Sequence, residues 1–321
     1  MNFLPKLLDT VADRTVVPGY SKLGFLLRRR QWQPLPADSL RGKRALVTGA
    51  NSGLGKATAA RLAELGATVH LVVRNVEKGE AARADLARRV PDATFHVDRC
   101  DVSCLADVRE FAQRLQAEHD TVDVLVHNAG VLPPHRQETP EGNEVTLATH
   151  VLGPHLLTTL LLPALRRGGD ARVVFVSSGG MYARPLHDED PQYARGEYQG
   201  AAAYARTKRM QVVLAGSWAR RLTGSPGIAV HAMHPGWAAT PGVTDSLPRF
   251  ARLMGPLLRD PDQGADTVVW LAAATEGGRR SGSFWHDRAP RPEHYLGRTR
   301  ESEQQRERFL DYCDRTVGLT Q

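Results

Sequence analysis

Apolar and polar positions follow two alternating rhythms from Arg44 onward. Short, mostly apolar runs read as strands: "RALVT" (44–48), "TVHLVVR" (68–74), "TFHVD" (94–98), "VDVLVH" (122–127), "ARVVFVSS" (171–178), "IAVHAMHPG" (228–236) and "SGSFWHD" (281–287). The segments between them space their apolar residues helically. They are "GKATAARLAELG", "VEKGEAARADLARRV", "SCLADVREFAQRLQAEH" opening at a capping Ser103, and an apolar zone from Glu141 to Arg167 interrupted at Pro154. The last is "AAYARTKRMQVVLAGSWARRL". Strands alternating with helices predict parallel βαβ units, and so a doubly wound α/β sheet of seven parallel strands. Pro34, Pro36 and Gly42 set an N-terminal extension (1–40) apart from a single α/β domain (41–297), and a polar, helical tail (298–321) follows.

Composition narrows the function classes. The 321 residues are 41% hydrophobic and 24% charged, an ordinary globular balance. The net charge is +7, and residues 1–44 alone carry nine Lys/Arg against three Asp/Glu. The domain itself is therefore close to neutral, which argues against nucleic acid as a partner. A contact between the basic extension and an anionic membrane surface stays open, as does an arm folded on its own domain or on a second subunit. Three cysteines make neither a disulfide framework nor a zinc set, so reduced thiols and no metal are expected. "HLLTTLLLPAL" is too short to span a bilayer, and "MNFLPKLLDTVADR" lacks a signal-peptide pattern. The expectation is a cytoplasmic protein.

"TGANSGLG" (48–55) joins the first strand to the first helix. Gly49 would allow the tight turn, Gly53 close approach of a phosphate, and Gly55 close helix packing, with the helix N-terminus facing a pyrophosphate. This is the Rossmann arrangement for a dinucleotide; a plain glycine-rich turn is the competing reading. Arg74 ends the second strand, where an acidic residue would take the ribose hydroxyl of NAD and an arginine suits the 2′-phosphate of NADP. The competing reading is a solvated surface arginine.

Further motifs follow in order: "CDV" (100–102), "HNAG" (127–130), "VSS" (176–178), Tyr204-x-x-x-Lys208 and "HPGWAAT" (234–240). Together with the glycine loop they resemble the short-chain dehydrogenase/reductase family over roughly residues 40–290, and "YARTKRMQVVL" and "SGSFWHDRAP" resemble one branch of it. The resemblance implies hydride chemistry on a carbonyl/alcohol pair with Ser178, Tyr204 and Lys208 as the catalytic set. It also implies cofactor contacts from Thr48, Gly49, Asn51, Ser52, Gly53, Leu54, Gly55, Asp101, Val102, Asn128, Ala129, Gly130, Pro235, Gly236 and Thr240, with Tyr204 and Lys208 contributing again.

The residues bear their own reading. Tyr204 and Lys208 stand four apart on a predicted helix and share a face. A nearby ammonium favours the phenolate that an acid/base tyrosine needs, and Ser178 can polarise a carbonyl. The family's asparagine ahead of this helix is replaced by His150, whose imidazole either takes over a proton relay or marks its loss.

The polar loop between Ser178 and Tyr204 is expected to overhang the substrate. "GVTDSLPRFARLMGPLLRD" spaces Leu247, Phe250, Leu253, Met254, Leu257 and Leu258 as an apolar lid or as ordinary core. The leading reading is an NADP(H)-dependent oxidoreductase of a small lipophilic carbonyl or alcohol, with a homodimer left open. The rival is a non-catalytic NADP(H) sensor or scaffold.

Overall fold

Each of the seven apolar runs forms a strand in the computed structural model, which describes residues 17–224, 227–239, 252 and 254–319. The strands are β1 (Arg44–Thr48), β2 (Thr68–Val73), β3 (Phe95–Arg99), β4 (Val124–His127), β5 (Ala171–Val176), β6 (Ile228–Met233) and β7 (Phe284–His286). They are mutually parallel, in the order β3-β2-β1-β4-β5-β6-β7. The order reverses between β1 and β4, and that switch opens a crevice at the carboxyl ends of the strands.

Sequence alone missed an eighth strand. β8 (Ala289–Arg291) pairs antiparallel with β7 through a turn whose central residues, Asp287 (φ 50°) and Arg288 (φ 55°), are both left-handed. Such turns usually announce themselves with Asn-Gly or Asp-Gly. Here side chains hold the strained backbone instead. Asp287 is gripped by Arg259 at 2.5 and 2.8 Å and by Arg28 at 2.7 Å, and Arg288 makes a bidentate pair with Asp266 at 2.7 and 2.8 Å.

The longer helices among the described residues are α1 (Lys22–Arg29), α2 (Gly53–Glu64), α3 (Val76–Arg89), α4 (Leu105–Glu118), α5 (Gly153–Gly168), α6 (Gly200–Arg221), α7 (Pro261–Ala273) and α8 (Glu303–Thr316). Successive strand residues face opposite ways, so the sheet feeds two cores. Leu46, Leu125, Val173 and Phe175 pack with Phe111 of α4, Leu156 of α5, Met210 of α6 and Phe309 of α8. Val47, Val126 and Val174 pack on the other face with Leu62 of α2, Leu86 of α3 and Val268 of α7.

Two local expectations need correction. Ser103 does not cap α4: Asp101 Oδ1 takes both its N–H (3.0 Å) and its hydroxyl (2.7 Å), so the helix begins later, with Cys104 at its N-cap. Pro154 does not interrupt the apolar zone. The chain winds a π-turn over Ala148–Leu152, in which Gly153 N–H donates to the Ala148 carbonyl, and Pro154 then sits in the first turn of α5, where its missing N–H is not needed. The whole run Val145–Gly168 is long and apolar enough to cross a membrane by length and composition, contrary to the sequence reading. It is mostly buried against the sheet, which accounts for its apolar character.

Among the described residues before β1, part of the chain packs on the fold. Tyr20 and Phe25 are buried, whereas Leu23, Leu26 and Leu27 of α1 are exposed. Of the expected lid, residues 242–251 and 253 lie outside the described residues.

Candidate active site

The crevice is a cavity of about 650 Å³, within the range of small-molecule sites. Its floor is the glycine loop. A Cβ on Gly49 would stand 2.9 Å from Ala129 Cα, and one on Gly55 would stand 2.4 Å from both the Gly49 carbonyl oxygen and Asn128 Nδ2. Any side chain there would push β1, α2 and the turn after β4 apart, so these glycines keep the loop tight enough to expose its backbone. Asn51, Ser52, Gly53, Leu54 and Gly55 line the cavity where α2 begins, and the N–H groups of that first turn lack helical partners. The residues present therefore suit a pyrophosphate.

Asn128, Ala129 and Gly130 form one wall, with Asp101 and Val102 beside them. Thr48 stands behind that wall and is absent from the lining. Its buried hydroxyl accepts the N–H groups of Asn128 and Ala129 at 3.0 Å each and donates to the Val126 carbonyl at 3.3 Å. Its geometry is that of a brace between β1 and the turn after β4. Arg74 lies on the rim, 71% exposed, with Asp101 at 3.9 Å. Lys78 lines the same rim from the first turn of α3. Sequence reasoning passed over it, although it follows Arg74 by one helical turn, because nothing local says that α3 starts at the cavity.

Ser178, Tyr204 and Lys208 converge at the inner end. The two serines of "VSS" divide their work. Both line the cavity, but the Ser177 hydroxyl is turned to the Lys208 backbone carbonyl at 2.7 Å, while the Ser178 hydroxyl accepts the Gly180 N–H at 3.2 Å. Lys208 is 3% exposed and donates to the Val176 carbonyl (2.8 Å) and Gln211 Oε1 (3.0 Å). Its ammonium lies 5.3 Å from the Tyr204 ring centre. Burial lowers the Lys208 pKa to about 7. Burial raises the Tyr204 hydroxyl above its usual range, partly offset by a hydrogen bond with Ser178. Tyr204 is thus protonated at neutral pH and able to donate.

His150 is fully buried in the π-turn and does not line the cavity. Its Nε2 accepts the Val131 N–H at 3.0 Å, and its Nδ1 lies 2.8 Å from Thr207 Oγ1. The first bond fixes the tautomer: Nδ1 carries the proton and donates to Thr207. Thr207 in turn donates to the carbonyls of Ala203 or Tyr204 at 3.1 and 3.0 Å. Burial, then the Lys208 charge, holds the imidazole pKa well below its usual value. Both ring nitrogens are thus engaged away from Lys208. His127 of "HNAG" bonds Thr158 Oγ1 at 2.8 Å inside the core.

Pro235 and Gly236 line the far wall, and Thr240 lies outside the described residues. Thr149, Leu132 and Trp237 also line the cavity without having been anticipated. Among the described residues a single group of possible metal ligands occurs, Glu293, His294 and Glu301. Arg306 pairs with Glu301 at 2.7 Å there.

Known proteins agree with this geometry. The sequence profile of the short chain dehydrogenase family matches residues 43–249. Dehydrogenase/reductase SDR family member 12 of Bos taurus is 41% identical over 298 residues, spanning 92% of this chain and 93% of the bovine protein. It represents the branch that "YARTKRMQVVL" and "SGSFWHDRAP" resemble. Retinol dehydrogenase 13 of Mus musculus is 34% identical over 291 residues, 87% of this chain and 84% of the mouse protein. Among solved structures, the Pseudomonas aeruginosa RhlG/NADP active-site complex superposes with a TM-score of 0.64 at 27% identity, over 78% of this chain and 96% of that one. The 3-ketoacyl-(acyl-carrier-protein) reductase of Brucella melitensis complexed with NADH gives 0.60 at 26%, over 76% and 96%. A family profile covering most of the chain, on a sheet that brings a serine, a tyrosine and a lysine to one end of a glycine-floored crevice, leaves one conclusion: the chain belongs to the short-chain dehydrogenase/reductase family and is an oxidoreductase acting on a CH–OH/C=O pair.

Proposed function

We propose that the protein uses NADP(H) in preference to NAD(H) to interconvert a small lipophilic carbonyl and its alcohol. The observation that carries the cofactor choice is the rim, where Arg74 and Lys78 both face the cavity. Two cations suit a 2′-phosphate and have no use for a bare ribose hydroxyl. When bound, the cofactor supplies or accepts the hydride. The glycine loop and the first turn of α2 would hold its pyrophosphate, with Asp101 and Val102 beside the adenine and Asn128 to Gly130 beside the ribose.

The chain's own residues handle the proton. Ser178 would hold the substrate oxygen and Tyr204 would donate to it in reduction or accept from it in oxidation. Lys208 would favour the phenolate form. His150 serves here as a positioning residue, tying the backbone after Gly130 to the helix that carries Tyr204. A lipophilic substrate is supported by the apolar residues at this end, Val131, Leu132, Ala201 and Trp237, and by retinol dehydrogenases among the relatives. The test is a titration with NADPH and NADH followed by a turnover panel of aldehydes, ketones, retinoids and sterols. NADPH should bind more tightly and at least one apolar carbonyl should be reduced. Equal affinities would refute the cofactor choice, and turnover confined to polar carbonyls would refute the substrate class.

A second reading concerns location. Leu23 (59% exposed), Leu26 (40%) and Leu27 (62%) stand out from α1 beside Lys22, Arg29 and Arg30. Exposed leucines among cations suit an anionic lipid surface, so a cytoplasmic protein with peripheral membrane contact is the proposal. The protein should sediment with anionic liposomes at low salt and be released as salt rises. Leu23→Glu with Leu27→Glu should abolish the binding, and sedimentation unaffected by that pair would end the idea.

A further inference from the structure

The residues just before α1 touch the reacting end of the site, and no motif predicts that. Tyr20 is 3% exposed, although it belongs to a segment that reads as an extension. Its carbonyl accepts the N–H of Trp237, a cavity residue, at 2.9 Å. Its ring stands edge-on to His234, at 4.5 Å between centres, and to His286 at 5.2 Å. The ring also covers Gly179, the residue after Ser178: a Cβ there would lie 2.7 Å from Tyr20 Cε2. On the far wall, a Cβ on Gly236 would lie 2.7 Å from the Tyr20 carbonyl oxygen.

A buried charge cluster fastens this contact. Arg259 is 1% exposed and bidentate to Asp287. It also donates to the carbonyls of Gly19 (3.1 Å), Ser21 (3.3 Å) and Pro235 (3.2 Å). Arg28 closes the ring, donating to Gly19 (2.8 Å) and Asp287 (2.7 Å). Burial pushes the Asp287 carboxyl up, but Arg259 and Arg28 together outweigh it and hold it below the usual carboxylate range. Such a cluster is a poor source of net stability and a good source of fixed geometry. It pins the backbone on both sides of Tyr20 to the loop after β6.

We infer that Tyr20 is a positioning residue for the reacting end of the site, holding the Ser178–Gly180 turn and the Pro235–Trp237 loop at a fixed separation. The inference rests on the reading of Ser178 as the group that holds the substrate oxygen. It adds that the active-site wall is braced from outside the dinucleotide-binding core, by a residue that backs the lining without joining it. A displacement of about 1 Å at a reacting centre lowers turnover by about 10²-fold. The adenine end, with Arg74 and Lys78, lies apart from these contacts.

The full chain is compared with Tyr20→Ala, Gly179→Ala and the double variant. Hydrogen exchange is followed at the amides of Gly180 and Trp237, NADPH affinity is measured, and turnover is assayed with any carbonyl the unmodified protein reduces. Gly179→Ala keeps every residue of the N-terminal extension, yet its methyl must displace the Tyr20 ring. It should speed exchange at Trp237 about fivefold to tenfold, because that amide's acceptor moves with Tyr20. Tyr20→Ala should speed both amides and lower turnover by about 10²-fold, with NADPH affinity changed less than about threefold. Adding Gly179→Ala to Tyr20→Ala should have little further effect, since the methyl then has room. Additive losses, or exchange at Trp237 that ignores Gly179→Ala, would overturn the inference. If Tyr20→Ala fails to fold, Gly179→Ala alone decides. Exchange requires no substrate, so an enzyme without turnover on the panel would count against the proposed substrate class and leave this test intact.

Discussion

At the rim of the cavity Arg74 leaves 71% of its side chain in water and meets Asp101 only at 3.9 Å. At the inner end Lys208 and His150 are buried, and each of their side-chain nitrogens has a partner within 3.0 Å. The rim pair is screened and contributes little to the fold. Its charge is available to a ligand, so substitution there should change selectivity without touching stability. The inner groups are costly to bury and are held by bonds that the fold supplies. Substitution there should alter chemistry and stability together. On the proposed reading, recognition would sit where water tolerates a charge and proton chemistry where burial excludes water.

The sharpest test of the inner end is Tyr204→Phe. It removes the transferable proton and keeps the ring, so turnover should fall by about 10² to 10⁴ while NADPH affinity holds. Full activity on a verified substrate would dismiss Tyr204 as the acid.

Lys208→Met tests the burial. The folded pKa of Lys208 is about 7, below the free value of 10.5. Below pH 7 both states carry the charge and the folded state bears the whole desolvation cost. Between about 7 and 10.5 the unfolded chain holds the proton and the folded one releases it, so stability rises with pH. The cofactor-free Met variant should therefore be more stable than the parent by about 3 kcal/mol at neutral pH and below. That advantage should shrink as pH climbs toward 10. Denaturant melts across this window decide it, and a constant difference would mean that Lys208 is not desolvated as described.

His150→Leu leaves the Val131 N–H without its acceptor and should destabilise the fold by about 1–3 kcal/mol. Turnover should fall with it. The imidazole is neutral throughout the working range because burial keeps its pKa well below the usual value, so the pH–rate profile should keep its shape. A limb lost on substitution would restore the relay reading.

Arg74→Asp at the rim should be the mildest of these for the fold, with unchanged melting. It should weaken NADPH by about tenfold and leave NADH nearly unaffected. Equal weakening of both cofactors would remove Arg74 from phosphate recognition.

The glycine loop, the Tyr204–Lys208 pair and the seven parallel strands were legible in the sequence because each is encoded locally. Gly49 and Gly55 stand in one turn, Tyr204 and Lys208 on one helical face, and every strand is an apolar run between polar helical stretches. Thr48 belongs to the same motif, yet its hydroxyl serves Asn128 and Ala129 across the sheet, and only the β1–β4 pairing reveals which way it points. The eighth strand was hidden because its turn uses Asp287 and Arg288, and the partners that make those conformations tolerable, Arg259, Arg28 and Asp266, are distant in sequence.

The sequence by itself determined the doubly wound sheet, the glycine loop and the shared helical face of Tyr204 and Lys208, since periodicity and short spacings specify them. Tertiary structure alone decided that Lys78 joins Arg74 at the rim and that His150 turns both its nitrogens away from Lys208. It alone decided that Tyr20 closes over Gly179 and Trp237. Those outcomes depend on burial and on bonds between segments far apart in the chain. No local pattern carries that information, because the same tyrosine or histidine would be an ordinary surface residue if its neighbours folded elsewhere.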